Sequence, residues 1–145
     1  MGEVIERAER DLAEKRRSET EKSQAKYRKQ IIKRLQSLGL YKPEFTPTIE
    51  RLASLYVELD KLNTQYEQSG GNPVIMHTNT TGGRNPKKNP SLQTRDEVYT
   101  QLLAHERELG LTPAALKKIN ESVMKTTQVS GFASALADAL RWAGE

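Results

Sequence analysis

The sequence predicts a mainly α-helical protein: a helical hairpin followed by further helices, one short strand and a Gly/Pro-rich loop, oligomerising through its helices. Three observations point there. Apolar residues recur at three- and four-residue steps over long stretches. A capping residue followed by proline marks three helix starts, at Thr46-Pro47, Asn89-Pro90 and Thr112-Pro113. The 145 residues are only 35% hydrophobic and 29% charged, so one chain has little material for a large core. One modest domain with charged extensions, or an oligomer sharing its core, follows from that balance.

Residues 1–25 read as a charged N-terminal arm. Val4, Ile5, Ala8 and Leu12 share one helical side, but Glu14–Gln24 contains no apolar residue, so a disordered arm and a helix both fit. Ser18 and Glu21 have the spacing of a capping box, which suggests a second helix start there. That helix runs through Tyr27, Ile31, Ile32, Leu35 and Leu38 to Gly39. From Pro47, the positions Ile49, Leu52, Leu55, Tyr56, Leu59, Leu62 and Tyr66 form a wide apolar stripe ending at Ser69-Gly70-Gly71. With the preceding helix it makes an αα-hairpin.

Residues 70–90 break the helical pattern with glycine and proline, and Val74-Ile75-Met76 is their only strand-like piece, so one short strand and a basic loop are expected. A helix from Pro90 turns Leu92, Val98, Tyr99, Leu102, Leu103 and Leu109 inward and stops at Gly110; the next, from Pro113, carries Leu116, Ile119 and Val123. Residues 26–125 thus form the expected helical core and oligomerisation domain, and 126–145 a tether with a C-terminal amphipathic helix. The stripe from Pro47 is wider than one neighbouring helix covers, which assigns Ile49, Leu52, Leu55, Tyr56, Leu59, Leu62 and Tyr66, with Leu102 of the helix from Pro90, to contacts between copies. Phe132, Leu136, Leu140 and Trp142 are assigned to a partner protein, because a helix of barely three turns needs a surface to dock on.

The charge is arranged in blocks. Residues 1–42 carry 12 basic and 7 acidic groups, and residues 69–95 carry 4 basic and none acidic; the other two segments are net acidic. Such basic blocks suit a polyanion, nucleic acid more readily than a membrane surface. Lys22, Lys26, Lys29 and Lys33 recur at helical steps with Arg28 and Arg34 beside them, and Arg84, Lys87 and Lys88 lie in the Gly/Pro-rich segment. These nine form the candidate DNA-binding set, acting through phosphates. A solvated charged face has the same pattern. Leu109–Val123 has helix-turn-helix spacing, with Lys117 and Lys118 near the start of its second helix, but lacks a set of Asn, Gln or Arg for reading bases, which favours packing.

Enzymatic chemistry lacks its residues. His77 and His105 are far apart in sequence and belong to no zinc motif, and neither Gly-Gly pair is followed by the Lys and Ser or Thr of a phosphate-binding loop. Without cysteine there is no disulfide framework, thiolate zinc site or thiol nucleophile. No catalytic residue, cofactor or metal is expected. Apolar runs of three residues at most leave no membrane span or signal-peptide core, so a soluble, intracellular protein is expected.

Gly82-Gly83-Arg84, then Asn89-Pro90, then Leu109-Gly110-Leu111-Thr112-Pro113-Ala114-Ala115, in this order, resemble the small terminase subunits of tailed bacteriophages. The similarity covers roughly residues 27–120. It departs from the family pattern in the Asn85-Pro86-Lys87-Lys88 insertion and in having Lys117 and Lys118 where arginine is expected. The resemblance implies a non-catalytic partner of a genome-packaging motor, working in the host bacterial cytoplasm. It also implies a ring-forming homo-oligomer, viral double-stranded DNA as ligand, and a large ATPase/nuclease subunit as partner. A small dimeric DNA-binding regulator and a helical scaffold are the other readings of the same residues.

Overall fold

The computed structural model describes residues 1–144. Its elements are α1 (Gly2–Ser37), a short 3-10 turn (Pro43–Phe45), α2 (Thr46–Gln68), β1 (Val74–Thr78), β2 (Arg84–Lys88), α3 (Pro90–Glu108) and α4 (Pro113–Ala143). The chain divides into two compact units, Met1–Leu109 and the segment from Gly110. None of these helices is long and apolar enough to cross a membrane.

In the first unit α2 is central and packs on both α1 and α3. Ile31 and Leu35 of α1, Ile49, Leu52, Ala53, Leu55 and Val57 of α2, and Leu92, Val98 and Leu102 of α3 form the core. The width of the α2 stripe therefore has an explanation inside one copy: two helices of the same chain cover it. Ile49, Leu52, Leu55 and Leu102, assigned from sequence to contacts between copies, are each no more than 7% exposed. Tyr56, Leu59, Leu62 and Tyr66 are half-buried on the same helix. Polar links lie over the core. Tyr27 and Tyr56 stack with centroids 5.1 Å apart. The Tyr56 hydroxyl donates to Glu106, which also faces Arg34 at 3.8 Å, so one carboxylate joins α1, α2 and α3. Burial, then the Glu106 hydrogen bond, pushes the Tyr56 hydroxyl up to about 12.

The helix signals divide into those used and those bypassed. Asn89 accepts from the Ser91 N–H at 3.0 Å and Thr112 from the Ala115 N–H at 3.3 Å, as N-caps do. Thr46 differs from its expected role: it is itself helical, the 3-10 turn leads directly into it, and its hydroxyl donates to the Pro43 carbonyl instead of capping. The α1–α2 connection closes as a Schellman turn, with Gly39 at φ +68° and the Leu40 N–H bonded to Leu35 O at 2.9 Å.

Two expected interruptions are absent. Helix α1 runs through Ser18 without a break, and the Thr20 hydroxyl donates back to Arg16 O. The stretch contains good helix formers and no glycine or proline after Gly2, so nothing in it stops propagation. In the second unit α4 is likewise continuous through 126–131, the stretch expected to be a tether, and carries Gly131 in its interior.

The expected single strand with a basic loop is instead an antiparallel hairpin, and Arg84, Lys87 and Lys88 lie on its second strand. Its turn is built by Asn79-Thr80-Thr81-Gly82: the Gly82 N–H bonds Asn79 O at 2.9 Å, Gly82 has φ +84°, and the Asn79 N–H bonds Gly83 O at 2.8 Å. That is the three-residue hairpin loop in which the left-handed position requires glycine. The strand was unreadable from sequence because Arg-Asn-Pro-Lys-Lys has almost no β propensity. Pairing with β1 supplies what composition does not.

Candidate nucleic-acid interface

The outer face of α1 carries the first basic group. At about 100° per residue, Lys22, Lys26, Lys29 and Lys33 fall within about 60° of one another, diametrically opposite the buried Ile31 and Leu35. All four are exposed, and none is in an ion pair among the described residues. Continuity of α1 adds a fifth, Lys15, one heptad before Lys22 and on the same face. Sequence reading missed it because a helix start at Ser18 breaks the phase between Lys15 and Lys22. From Lys15 to Lys33 the stripe is about 27 Å long, at 1.5 Å per residue.

Arg28 and Arg34 do not join the stripe. They flank the buried face and turn inward, Arg28 to Glu50 at 2.7 Å and Arg34 to Glu106 at 3.8 Å. The Arg28 hydrogen bond, with help from Gln24 at 3.1 Å, holds the Glu50 carboxyl below its ordinary range. Both arginines, placed from sequence in the DNA-binding set, here join α1 to α2 and α3.

The hairpin carries the second group. Register pairs Thr78 with Arg84, His77 with Asn85, Met76 with Pro86, Ile75 with Lys87 and Val74 with Lys88. Arg84 and Lys87 are exposed without an ion-pair partner among the described residues, whereas Lys88 meets Asp96 of α3 at 2.5 Å. The hairpin's base is fixed to the helices: the Asn89 N–H bonds Pro73 O at 2.9 Å, Asn89 Nδ2 donates to Asn72 O at 3.0 Å, and the Tyr66 hydroxyl donates to Gly71 O at 2.5 Å. Arg95 lies over the Tyr66 ring, 5.3 Å from its centroid.

In the second unit every described residue from Asn120 onward is exposed. Lys117 pairs with Glu121 along the helix at 3.9 Å. Phe132, Leu136 and Leu140 share one side of α4 with Val129, at exposures between 51% and 71%. Trp142, grouped with them from sequence, is two residues past Leu140 and hence about 200° round the helix, on a different side.

The chain matches the family described as phage terminase, small subunit, over residues 25–125, and it belongs to that family. The match takes in the helical hairpin, the β-hairpin, α3 and the first part of α4. No curated protein and no solved structure matches it. Membership places the chain among the subunits of phage DNA packaging, a family that is in general non-catalytic.

Proposed function

We propose that this protein is the non-catalytic, DNA-binding subunit of a phage packaging motor, assembling with copies of itself and acting on a large ATPase/nuclease subunit. One observation carries the DNA reading: five exposed lysines in phase along one face of α1, opposite the core, with no carboxylate bound to them among the described residues. A positive stripe of about 27 Å matches the length of about eight base pairs at 3.4 Å each. Arg84 and Lys87 add a second basic group on the hairpin. Family membership supports the partners: viral double-stranded DNA, the large subunit and the chain's own copies. Contacts between copies rest on groups the protomer leaves open, such as Tyr99 and Leu103 on α3, 47% and 39% exposed. The Val129/Phe132/Leu136/Leu140 side of α4 is assigned to the large subunit.

Salt dependence tests the DNA reading. Each phosphate neutralised contributes roughly −0.9 to the slope of log affinity against log salt. Replacing Lys22, Lys26, Lys29 and Lys33 by alanine is expected to flatten that slope by about 3.6. Arg28→Ala is expected to lower stability and leave the slope nearly unchanged, because that guanidinium is engaged with Glu50. An unchanged slope in the four-lysine variant overturns the assignment to α1.

A further inference from the structure

The geometry of the β-hairpin points to more than a phosphate contact: we propose that β1–β2 is a two-stranded ribbon that enters the DNA major groove and reads base edges with His77, Asn85 and Lys87. This rests on the reading that the chain binds duplex DNA.

Side chains alternate across a strand, so the register divides the ribbon into two faces. One presents Ile75, His77, Asn85 and Lys87. Its composition is that of a base-reading surface: an asparagine can bond adenine N6 and N7, a lysine guanine O6 and N7, and an aliphatic group can meet a thymine methyl. The other presents Val74, Met76, Thr78 and Pro86, with Arg84 by the turn and Lys88 held by Asp96. All ten side chains are exposed, and residues 69–95 include no acidic group, so no charge on the ribbon itself repels a polyanion, and Arg84 and Lys87 are free to attract one.

Size and edges agree. Strands about 4.8 Å apart and about 17 Å long fit a groove about 12 Å wide, which admits a two-stranded ribbon. Gly82 and Gly83 at the tip have open space where a Cβ would stand. The Asn79–Gly83 and Pro73–Asn89 pairs are hydrogen-bonded, so by alternation Pro86 sits in a non-bonded pair and its missing N–H falls on the outer edge of β2. A further strand beyond β2 would lack a bond at its centre, which keeps the ribbon two-stranded on that side.

The test uses the full chain and duplexes that it enriches from a random pool. H77A/N85A is expected to reduce the affinity ratio of enriched to unenriched duplex by about 5- to 150-fold, the effect of one good bidentate contact, with the salt slope unchanged. R84A, on the other face by the turn, is expected to flatten the slope by roughly 0.9, and K87A to lower the ratio further. A readout independent of protein folding is the DNA itself. Replacing enriched-site purines by their 7-deaza analogues removes the major-groove N7 acceptor, and should weaken the wild type but not a variant lacking Asn85 and Lys87. Failure of the pool to enrich, or hairpin variants that keep both ratio and slope, overturns the ribbon while leaving DNA binding through α1 in place. Hairpin variants that change only the oligomeric mass would make the ribbon a protein contact and overturn it too. Absence of any salt-dependent binding by the wild type defeats the DNA reading, and the ribbon with it.

Discussion

Asn89 joins three pieces of the molecule with one side chain. At 6% exposure it is the buried polar residue of the described core, and each of its polar groups has a task. Oδ1 caps α3, Nδ2 bonds Asn72 O, and the main-chain N–H bonds Pro73 O. Asn89→Ala removes the cap and leaves the Asn72 carbonyl without that donor, an expected loss of about 2 kcal/mol in urea unfolding. Asn89→Asp keeps the cap acceptor but not the donor, so it too should destabilise; a variant as stable as wild type would show that the hairpin base is held otherwise. Glu50 works differently. Its carboxyl is held below its ordinary value of 4.5 chiefly by Arg28, so its contribution is present above that value and lost as pH falls through the lowered one. The pair is partly solvated, and its contribution is at most about 1 kcal/mol. Glu50→Gln should therefore lower Tm slightly near neutrality and reduce the further fall in Tm between about pH 5 and pH 3. Equal acid sensitivity in both proteins would assign it to other carboxylates.

Elements show where local chemistry is enough and where it is not. Asn89-Pro90 and Thr112-Pro113 start helices as their sequences suggest, because a capping oxygen and a preset φ act within three residues. Thr46-Pro47 fails by one residue, since Pro43–Phe45 already turns the chain and brings Thr46 into the helix. Helix α4 contains Gly131 with nothing within 4 Å of where a Cβ would stand. Gly131→Ala is expected to stabilise α4 by about 1 kcal/mol, seen as higher helicity and slower amide exchange around residues 126–135. No change there would mean that this stretch gains nothing from helix propensity. The hairpin is the contrary case. Two strands alone are marginal in water, and here the strand ends are tied to Gly71, Asn72 and Asn89 beside two helices.

For the whole molecule, the uneven division of apolar surface carries the expectation. The α1–α2–α3 core is filled from within, yet Tyr99, Leu103, Val129, Phe132, Leu136 and Leu140 stay open. Contacts between copies and with the large subunit are proposed to use these separately. Native mass spectrometry should show one species well above a dimer, and Tyr99→Glu with Leu103→Glu should shift it toward monomer. Deleting residues 130–145 should preserve that species and its DNA binding while abolishing stimulation of the large subunit's ATPase. Loss of assembly in the truncated chain would place the α4 side in the contacts between copies.

By itself the sequence determined the helical class, two of the three cap-and-proline helix starts and the basic blocks, because periodicity, capping and charge act within a few residues of chain. Family kinship was legible too: the family that the sequence resembles is the one that residues 25–125 match. Only the tertiary structure decided how the side chains are divided. Placing α2 between α1 and α3 buried the stripe that sequence alone assigns to neighbouring copies. Placing Glu50 and Glu106 near α1 drew Arg28 and Arg34 inward, while continuity of the helix brought Lys15 into phase with the outer lysines. Pairing with β1 turned a basic loop into a strand with two faces. The buried stripe and the inward arginines depend on segments that meet across more than twenty residues, and contacts at that range leave no periodic mark on the chain.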